Sequence, residues 1–493
     1  MKIPGLHSRV LILGAGPAGL TAAYELCRTN IPSIILEQDS VVGGLARTVN
    51  HNGYLFDIGG HRFYTKVPLI EQIWKDVLGD DLLVRPRLSR IYYHGKFFQY
   101  PLEAMDTLAG LGVLETARCL ASYVKARFAP KSPEDNFEAW VSNRFGSRLF
   151  KIFFKEYTEK VWGIPCDRIR SDWAAQRIRG LSMAALIRAA LSNGRGKGTG
   201  IKTLIRDFYY PRQGPGMMWS RMRALIEAQG ARVDLNSPVE QVLHDGTRIT
   251  GVRSSGRTYT AEHFISSIPI RDLIQRLSPS APELEQAANG LHYRDFITVA
   301  LMVRGSNLFR DNWIYVHDPA VKVGRIQNYN NWSPEMTPKA GTSCLGLEYF
   351  CQQDDGLWNK SDADLVAQAV AELSHLGLAT SEAIIDSAVV RVPKAYPVYD
   401  GSYQSRLNVV RKFVDSVPNL QLVGRNGMHR YNNQDHAMLT GILAARNIMG
   451  ACNNLWELDI DSGYLEENSG LAPEDLAALE STQPRTPRAV SVA

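Results

Sequence analysis

Residues 9–13, Arg-Val-Leu-Ile-Leu, run directly into Gly14-Ala15-Gly16-Pro17-Ala18-Gly19, and no other stretch of the chain limits its fold as much. The apolar, branched run reads as a buried parallel strand. The pattern LTAAYELCRT after the loop reads as a helix, and Ser33-Ile34-Ile35-Leu36 as a second strand ending in Glu37. The result is a βαβ unit. Gly14, Gly16 and Gly19 permit a tight turn, close approach of backbone to a pyrophosphate, and close helix–strand packing. The helix N-terminus then offers unpaired N–H groups and its positive dipole end to the phosphates. Glu37 stands about 20 residues on, where a carboxylate accepts hydrogen bonds from a ribose. A second glycine pair, in Val42-Gly43-Gly44-Leu45-Ala46-Arg47, sits where an extended dinucleotide would pass, and this favours FAD over NAD. The expected fold class is α/β: a doubly wound, Rossmann-like FAD-binding domain, joined by a helical lobe and an antiparallel substrate-binding sheet.

At 493 residues the chain exceeds what one core usually holds, so several lobes are expected. The cofactor domain is assigned to residues 1–100, 208–285 and 401–465, a mostly helical substrate lobe to 101–207, the substrate sheet to 286–400, and a flexible tail to 466–493. Helices are expected over 67–82, 103–128, much of 134–192, 361–376 and from about Gln434. RIYYHGKFFQY at 90–100 alternates about His94-Gly95 and reads as a hairpin. NGRGKGT at 193–199 reads as a mobile glycine loop. The net charge of +5 is small for the length and argues against a nucleic-acid protein, while suiting an anionic small-molecule substrate. The six cysteines form no C-x-x-C pair and no metal-ligand spacing, so no metal is expected and a cytoplasmic setting with reduced thiols is. No run of about 20 apolar residues suggests a transmembrane helix.

Several motifs carry a family resemblance. They are Phe56-Asp57-Ile58-Gly59-Gly60-His61; the run NFEAWVSNRFGSRLFKIFFKEYTEKVWGIPCDRIRSDWAAQR from Asn136 to Arg177; Phe208-Tyr209-Tyr210-Pro211-Arg212-Gln213-Gly214; Trp313-Ile314-Tyr315 with Arg325 to Pro334; Tyr396-Pro397; and Gly424-Arg425-Asn426-Gly427 with Arg430 to His436. With them the chain resembles the FAD superfamily of amine oxidases, protoporphyrinogen oxidase and UDP-galactopyranose mutase, and within it the mutases, over most of residues 8–450.

The resemblance implies roles at matching positions. Arg177 and Arg325 would hold a substrate diphosphate, and Tyr396 and Tyr431 would donate to it. Tyr100, Trp162 and Tyr315 would line the nucleotide pocket, and Trp332, which stands where the mutases have a tyrosine, would line the substrate site with them. His61 would pack by the isoalloxazine and act with the two arginines in catalysis. Arg425 and Asn433 would lie near flavin and sugar. Gly60, Val239, Gly424, Gln434 and Asp435 complete the cofactor set, Gln434-Asp435 opening a helix toward the flavin. The implied reaction is redox-neutral: reduced FAD, expulsion and recapture of a diphosphate, and a change of sugar ring size. An oxidase or desaturase reaction shares the fold and cofactor loop but needs no diphosphate clamp. Thr158 and Glu103 replace family amides near the expected nucleobase pocket, which leaves base and sugar open. The set makes chemical sense by itself, because guanidinium forks and phenol donors suit the oxygens of a diphosphate that becomes a leaving group.

Overall fold

The computed structural model describes residues 6–100, 102, 104–171 and 206–458. Arg177, Glu103, the 193–199 loop and the 466–493 tail lie outside the described residues. Leu6–Leu13 and Ser33–Leu36 form the expected parallel pair, joined by the helix Pro17–Cys27. They sit inside an eight-stranded sheet. Arg257–Ser266 pairs parallel with Leu6–Leu13, Arg232–Asp234 with Ser33–Leu36, and Leu420–Leu422 with the far end of Arg257–Ser266. Val10–Leu13 and Ser33–Leu36 are buried on both faces, as inner parallel strands require, whereas the outer strand Arg232–Asp234 leaves Arg232 exposed.

The packing explains the glycines. A Cβ on Gly19 would lie 2.0 Å from the Gly14 carbonyl oxygen; Gly14 itself has φ +100°, and a Cβ there would lie 2.4 Å from Ser267 Oγ. Only glycine fits either place. The helix Gln434–Ile448 crosses Pro17–Cys27 closely enough that a Cβ on Gly441 would meet the Ala18 carbonyl at 2.2 Å. A buried Arg446–Glu25 pair at 2.9 Å fastens the same two helices.

The second sheet has seven strands, in the order Ile384–Pro397, Tyr293–Arg304, Thr342–Cys351, Arg325–Asn328, Trp313–Val316, Ser89–Tyr93 and Lys96–Gln99. All its pairs are antiparallel except Trp313–Val316 with Ser89–Tyr93. The 90–100 hairpin forms as read, with His94 at φ 46° and Gly95 at φ 76°, the two positive φ values a tight primed turn needs. Its place differs from expectation: it extends the substrate sheet, not the cofactor sheet to which residues 1–100 were assigned.

The helical lobe packs Phe98, Phe137, Phe145, Phe150, Phe153 and Trp162 into its own core. Ser147–Phe150, Lys151–Lys155 and Glu156–Trp162 continue as one helix with a π turn at its centre. Such a turn adds a residue and rotates the rest of the helix about its axis, here the face carrying Tyr157, Lys160 and Trp162. Lys160 Nζ donates to the carbonyls of Val316, Asp318 and Val323 at 3.2, 2.7 and 3.3 Å, tying the lobe to the second sheet. Burial lowers its pKa to about 8.

Candidate functional site

A cavity of about 440 Å³ opens where the glycine loop, the Gln434–Ile448 helix and the second sheet meet. Gly14, Gly16, Glu37, Gly44, Arg47 and Val239 line one part of it. His61, Gly424, Arg425, Asn433 and Gln434 line the other. Of the remaining expected cofactor residues, Gly19 packs beneath the loop, Gly43 shapes the second glycine turn at φ +104°, and Asp435 is buried in the first turn of its helix.

The residues fit a dinucleotide. Glu37 is 6% exposed; its carboxylate accepts N–H bonds from Ala15 at 2.7 Å and Asp39 at 3.0 Å, which fixes it at the strand end. Burial raises its pKa and those N–H groups pull it back. Gly16 and Gly44 face each other: a Cβ on Gly44, whose φ is +52°, would lie only 3.2 Å from Gly16 Cα, so a side chain there would crowd the first loop. Two helix N-termini, at Pro17 and Gln434, open onto the cavity, an arrangement that favours anions and electron-rich groups. Asn433 caps the second: its side chain accepts from the His436 N–H, and its own N–H donates to His436 Nδ1 at 3.2 Å.

The end of the cavity at His61 and Gln434 holds buried polar atoms that the described residues leave unpaired. His61 Nδ1 and Gln434 Oε1 have no hydrogen-bond partner, and Gln434 Nε2 donates to the His61 carbonyl at 3.3 Å. Buried groups of this kind cost free energy unless a ligand pairs them. Burial, then the charges of Arg425 and Arg325, hold the His61 pKa down to about 3, so its imidazole is neutral.

Beyond His61 lies a cationic, aromatic region. Arg325 donates through Nε to Glu348, which is completely buried. Gln327 Nε2 donates to the other Glu348 oxygen at 3.1 Å, and Trp332 Nε1 donates to Gln327 Oε1 at 3.2 Å. Burial opposes the charge on Arg325, but Glu348, Tyr157 and Tyr396 more than offset it, and the guanidinium stays charged. Its two terminal nitrogens make no hydrogen bond to the described residues. Gly60 gives it room: a Cβ there would come within 3.3 Å of Arg325 Cζ and 2.6 Å of Gln327 Nε2.

Tyr396 and Tyr431 stack at 5.7 Å with 14° between planes, and the Arg425 guanidinium lies 5.3 and 5.0 Å from their ring centres. Tyr315 packs edge-on against Tyr100 at 4.9 Å and Tyr157 at 5.2 Å. Trp162 is 5% exposed and contacts Tyr431 at 6.4 Å from within the lobe core. Trp332 departs from its expected role as a lining residue. It is 3% exposed, stacked between Trp313 at 5.6 Å and Tyr210 at 5.1 Å, and its indole N–H is taken by Gln327. It reaches the site only through the Gln327–Glu348–Arg325 chain.

Glu348 was missed in the sequence, though a lone carboxylate in the apolar strand Thr342–Cys351 demands a partner. Asp57 was quoted only within a motif. It is 1% exposed, accepts from Tyr210 Oη at 2.6 Å and Thr48 Oγ1 at 2.9 Å, and burial lifts its pKa to about 7. Tyr157 and Arg62 also escaped notice.

Residues 17–449 match the family described as flavin containing amine oxidoreductase. A 15-cis-phytoene desaturase of Synechococcus elongatus is 22% identical over 485 residues, covering 91% of this chain and 97% of that protein. A ferredoxin–NADP reductase of Gluconacetobacter diazotrophicus is 30% identical over 142 residues, 28% of this chain, which spans 40% of that protein's length. Among solved structures, a reduced UDP-galactopyranose mutase superposes with a TM-score of 0.81 at 20% identity, covering 92% of this chain and 98% of that one. A protoporphyrinogen oxidase-like protein of Exiguobacterium superposes at 0.66 and 17% identity, covering 89% and 98%. The family match runs from Pro17, at the end of the glycine loop, through His61 to the last helix, and the chain is therefore a flavoenzyme belonging to the flavin containing amine oxidoreductase family, with FAD as its cofactor.

Proposed function

We propose that the chain uses reduced FAD to interconvert the ring forms of a diphosphate-linked sugar. The observation that carries this is Arg325: a buried guanidinium fixed through Nε by Glu348, its terminal nitrogens uncommitted among the described residues, one glycine away from the His61 face of the cofactor cavity. That is how a site holds a leaving oxyanion, because a fork already in place costs no reorganisation as charge develops. Reduced FAD, when bound, supplies an electron-rich centre toward the sugar. Tyr396, within electrostatic reach of Arg325, donates a hydrogen bond through its phenol O–H to the same phosphates; burial keeps it protonated, with its pKa up at about 12. Neutral His61 packs at the ring without adding charge, and the stacked Tyr396–Tyr431 pair shields the region from water. Arg177 is proposed as the second clamp on the diphosphate from its motif alone.

A second reading has one observation in its favour: the full-length likeness to a desaturase. It makes the chain an oxidoreductase that removes hydride from its substrate. The two part at Arg325. Arg325→Ala should lower turnover of a diphosphate-linked sugar by about 10²–10³-fold, the usual loss for one oxyanion donor. Unchanged turnover of every accepted substrate in both Arg325→Ala and Arg177→Ala would remove the clamp and leave the oxidoreductase.

A further inference from the structure

Arginines near this site are partnered, with one exception among the described residues. Arg325 is paired with Glu348, Arg90 grips Asp311 through Nε at 2.9 Å and Nη2 at 2.6 Å, and Arg85 Nε donates to the Trp332 carbonyl at 2.6 Å. Arg62 makes no hydrogen bond and no ion pair among the described residues. Its guanidinium carbon lies 4.9 Å from the Phe208 ring centre and 4.8 Å from that of Trp313. Ring faces attract a cation, but they do not use its five N–H donors.

The charges around it make matters worse. Arg87 faces the same two rings, at 6.0 and 5.9 Å, and Tyr100 at 5.3 Å. Burial, and then Arg87 and Arg325, disfavour charge on Arg62, while Tyr315, Tyr100 and the more distant Glu348 favour it. The one buried carboxylate that feels Arg62, Glu348, already has both oxygens taken by Arg325 and Gln327. Arg62 is half-buried, and no carboxylate among the described residues is paired with it. Arg62 does not line the cavity that His61 lines; its guanidinium stands against Phe208 and Trp313, within electrostatic reach of Arg325, so an anion on it would bind on the Arg325 side of the site.

We propose that Arg62 is the anchor of a second oxyanion subsite, walled by Phe208 and Trp313 and bordered by Tyr315 and Tyr100, that takes an anionic group of the substrate separate from the one on Arg325. This rests on the reading of the substrate as a diphosphate-linked sugar. The shared chemistry is an oxyanion that meets a guanidinium fork. Its sources are two: the second phosphate of the diphosphate, or a carboxylate on the sugar.

The test is direct binding to the FAD-loaded protein by calorimetry, with pyrophosphate, UDP, UDP-glucose and UDP-glucuronate as probes. The variants are Arg62→Leu, which keeps contact with both rings, and Arg62→Gln, which keeps polarity without charge. Flavin absorbance and melting temperature report whether each variant is folded. The expected result is a tenfold or greater loss of affinity in both variants with flavin content unchanged. Loss for pyrophosphate and UDP assigns the phosphate; loss confined to UDP-glucuronate assigns the carboxylate. UDP-sugar binding equal to wild type in either folded variant overturns the subsite and leaves the sugar reading standing. Arg62-dependent pyrophosphate binding without any UDP-sugar binding keeps the subsite and overturns the sugar reading. No binding of any probe by the wild type overturns both.

Discussion

Glu348→Ala removes the carboxylate that fixes Arg325 and leaves a buried guanidinium without its counter-charge. Glu348 is 0% exposed and Arg325 12%, so neither charge has water to fall back on. Removing one partner of such a pair costs about 3–5 kcal/mol, against the roughly 5–15 kcal/mol that holds a typical domain together. Gln327 Nε2 loses its acceptor as well, while Gln327 Oε1 still accepts from the Trp332 indole N–H. Glu348→Gln keeps the volume and one acceptor for Arg325 Nε, so its cost should fall to about 1.5–3 kcal/mol, the worth of a hydrogen bond to a charged group. The assay is urea unfolding followed by flavin fluorescence, with turnover measured on the same preparations. Glu348→Ala should show a much lower midpoint and a turnover approaching that of Arg325→Ala; Glu348→Gln should fall between it and wild type. A Glu348→Ala protein with wild-type midpoint and turnover would refute the idea that this pair positions Arg325.

Gly19→Ala should yield protein without stoichiometric flavin, checked by absorbance, since its methyl would sit 2.0 Å from the Gly14 carbonyl. His61, His317 and His429 have folded pKa values held down to about 3, 3 and 4, chiefly by burial. The unfolded chain takes up those protons near pH 6.5, so the stability they contribute is present above that pH and is lost as pH falls toward 3–4; melting temperatures between pH 7 and 4 should show the decline. Asp57 works in the opposite sense: with its folded pKa up at about 7, its contribution is full below about pH 4 and is lost as pH rises through 7. Asp57→Asn should therefore hold its melting temperature better than wild type from pH 6 to 8. Trp332→Phe removes the donor to Gln327 and part of the ring stacked between Trp313 and Tyr210, and should cost more than the roughly 1 kcal/mol of the hydrogen bond alone, read from the same urea curves.

The βαβ unit was legible because its logic is local. Gly14, Gly19 and Glu37 lie within one strand, loop and helix, and each is dictated by sterics or by a strand end. The His94-Gly95 hairpin was legible for the same reason, but its sheet was not. It pairs with Trp313–Val316, more than 200 residues away, and nothing in RIYYHGKFFQY distinguishes one sheet edge from another. The site divides along the same line. His61, Gln434 and Asn433, from motifs more than 370 residues apart, line one cavity. Trp332 looked like a lining residue because its sequence neighbours are, yet the short helix Tyr329–Trp332 turns it into the aromatic core. Glu348 and Arg62 owe their significance to partners present or missing across strands, which only the assembled sheet displays.

The most direct measurement is anaerobic. The bound flavin is reduced with dithionite, nucleoside diphosphate hexoses are added, and the sugar nucleotides are separated by chromatography while the flavin spectrum is followed. The expected result is conversion of one sugar into an isomer of equal mass with reduced FAD and not with oxidised FAD. Bleaching of oxidised FAD by a substrate, with no isomer formed in either redox state, would contradict the ring-interconversion reading and make the chain an oxidoreductase.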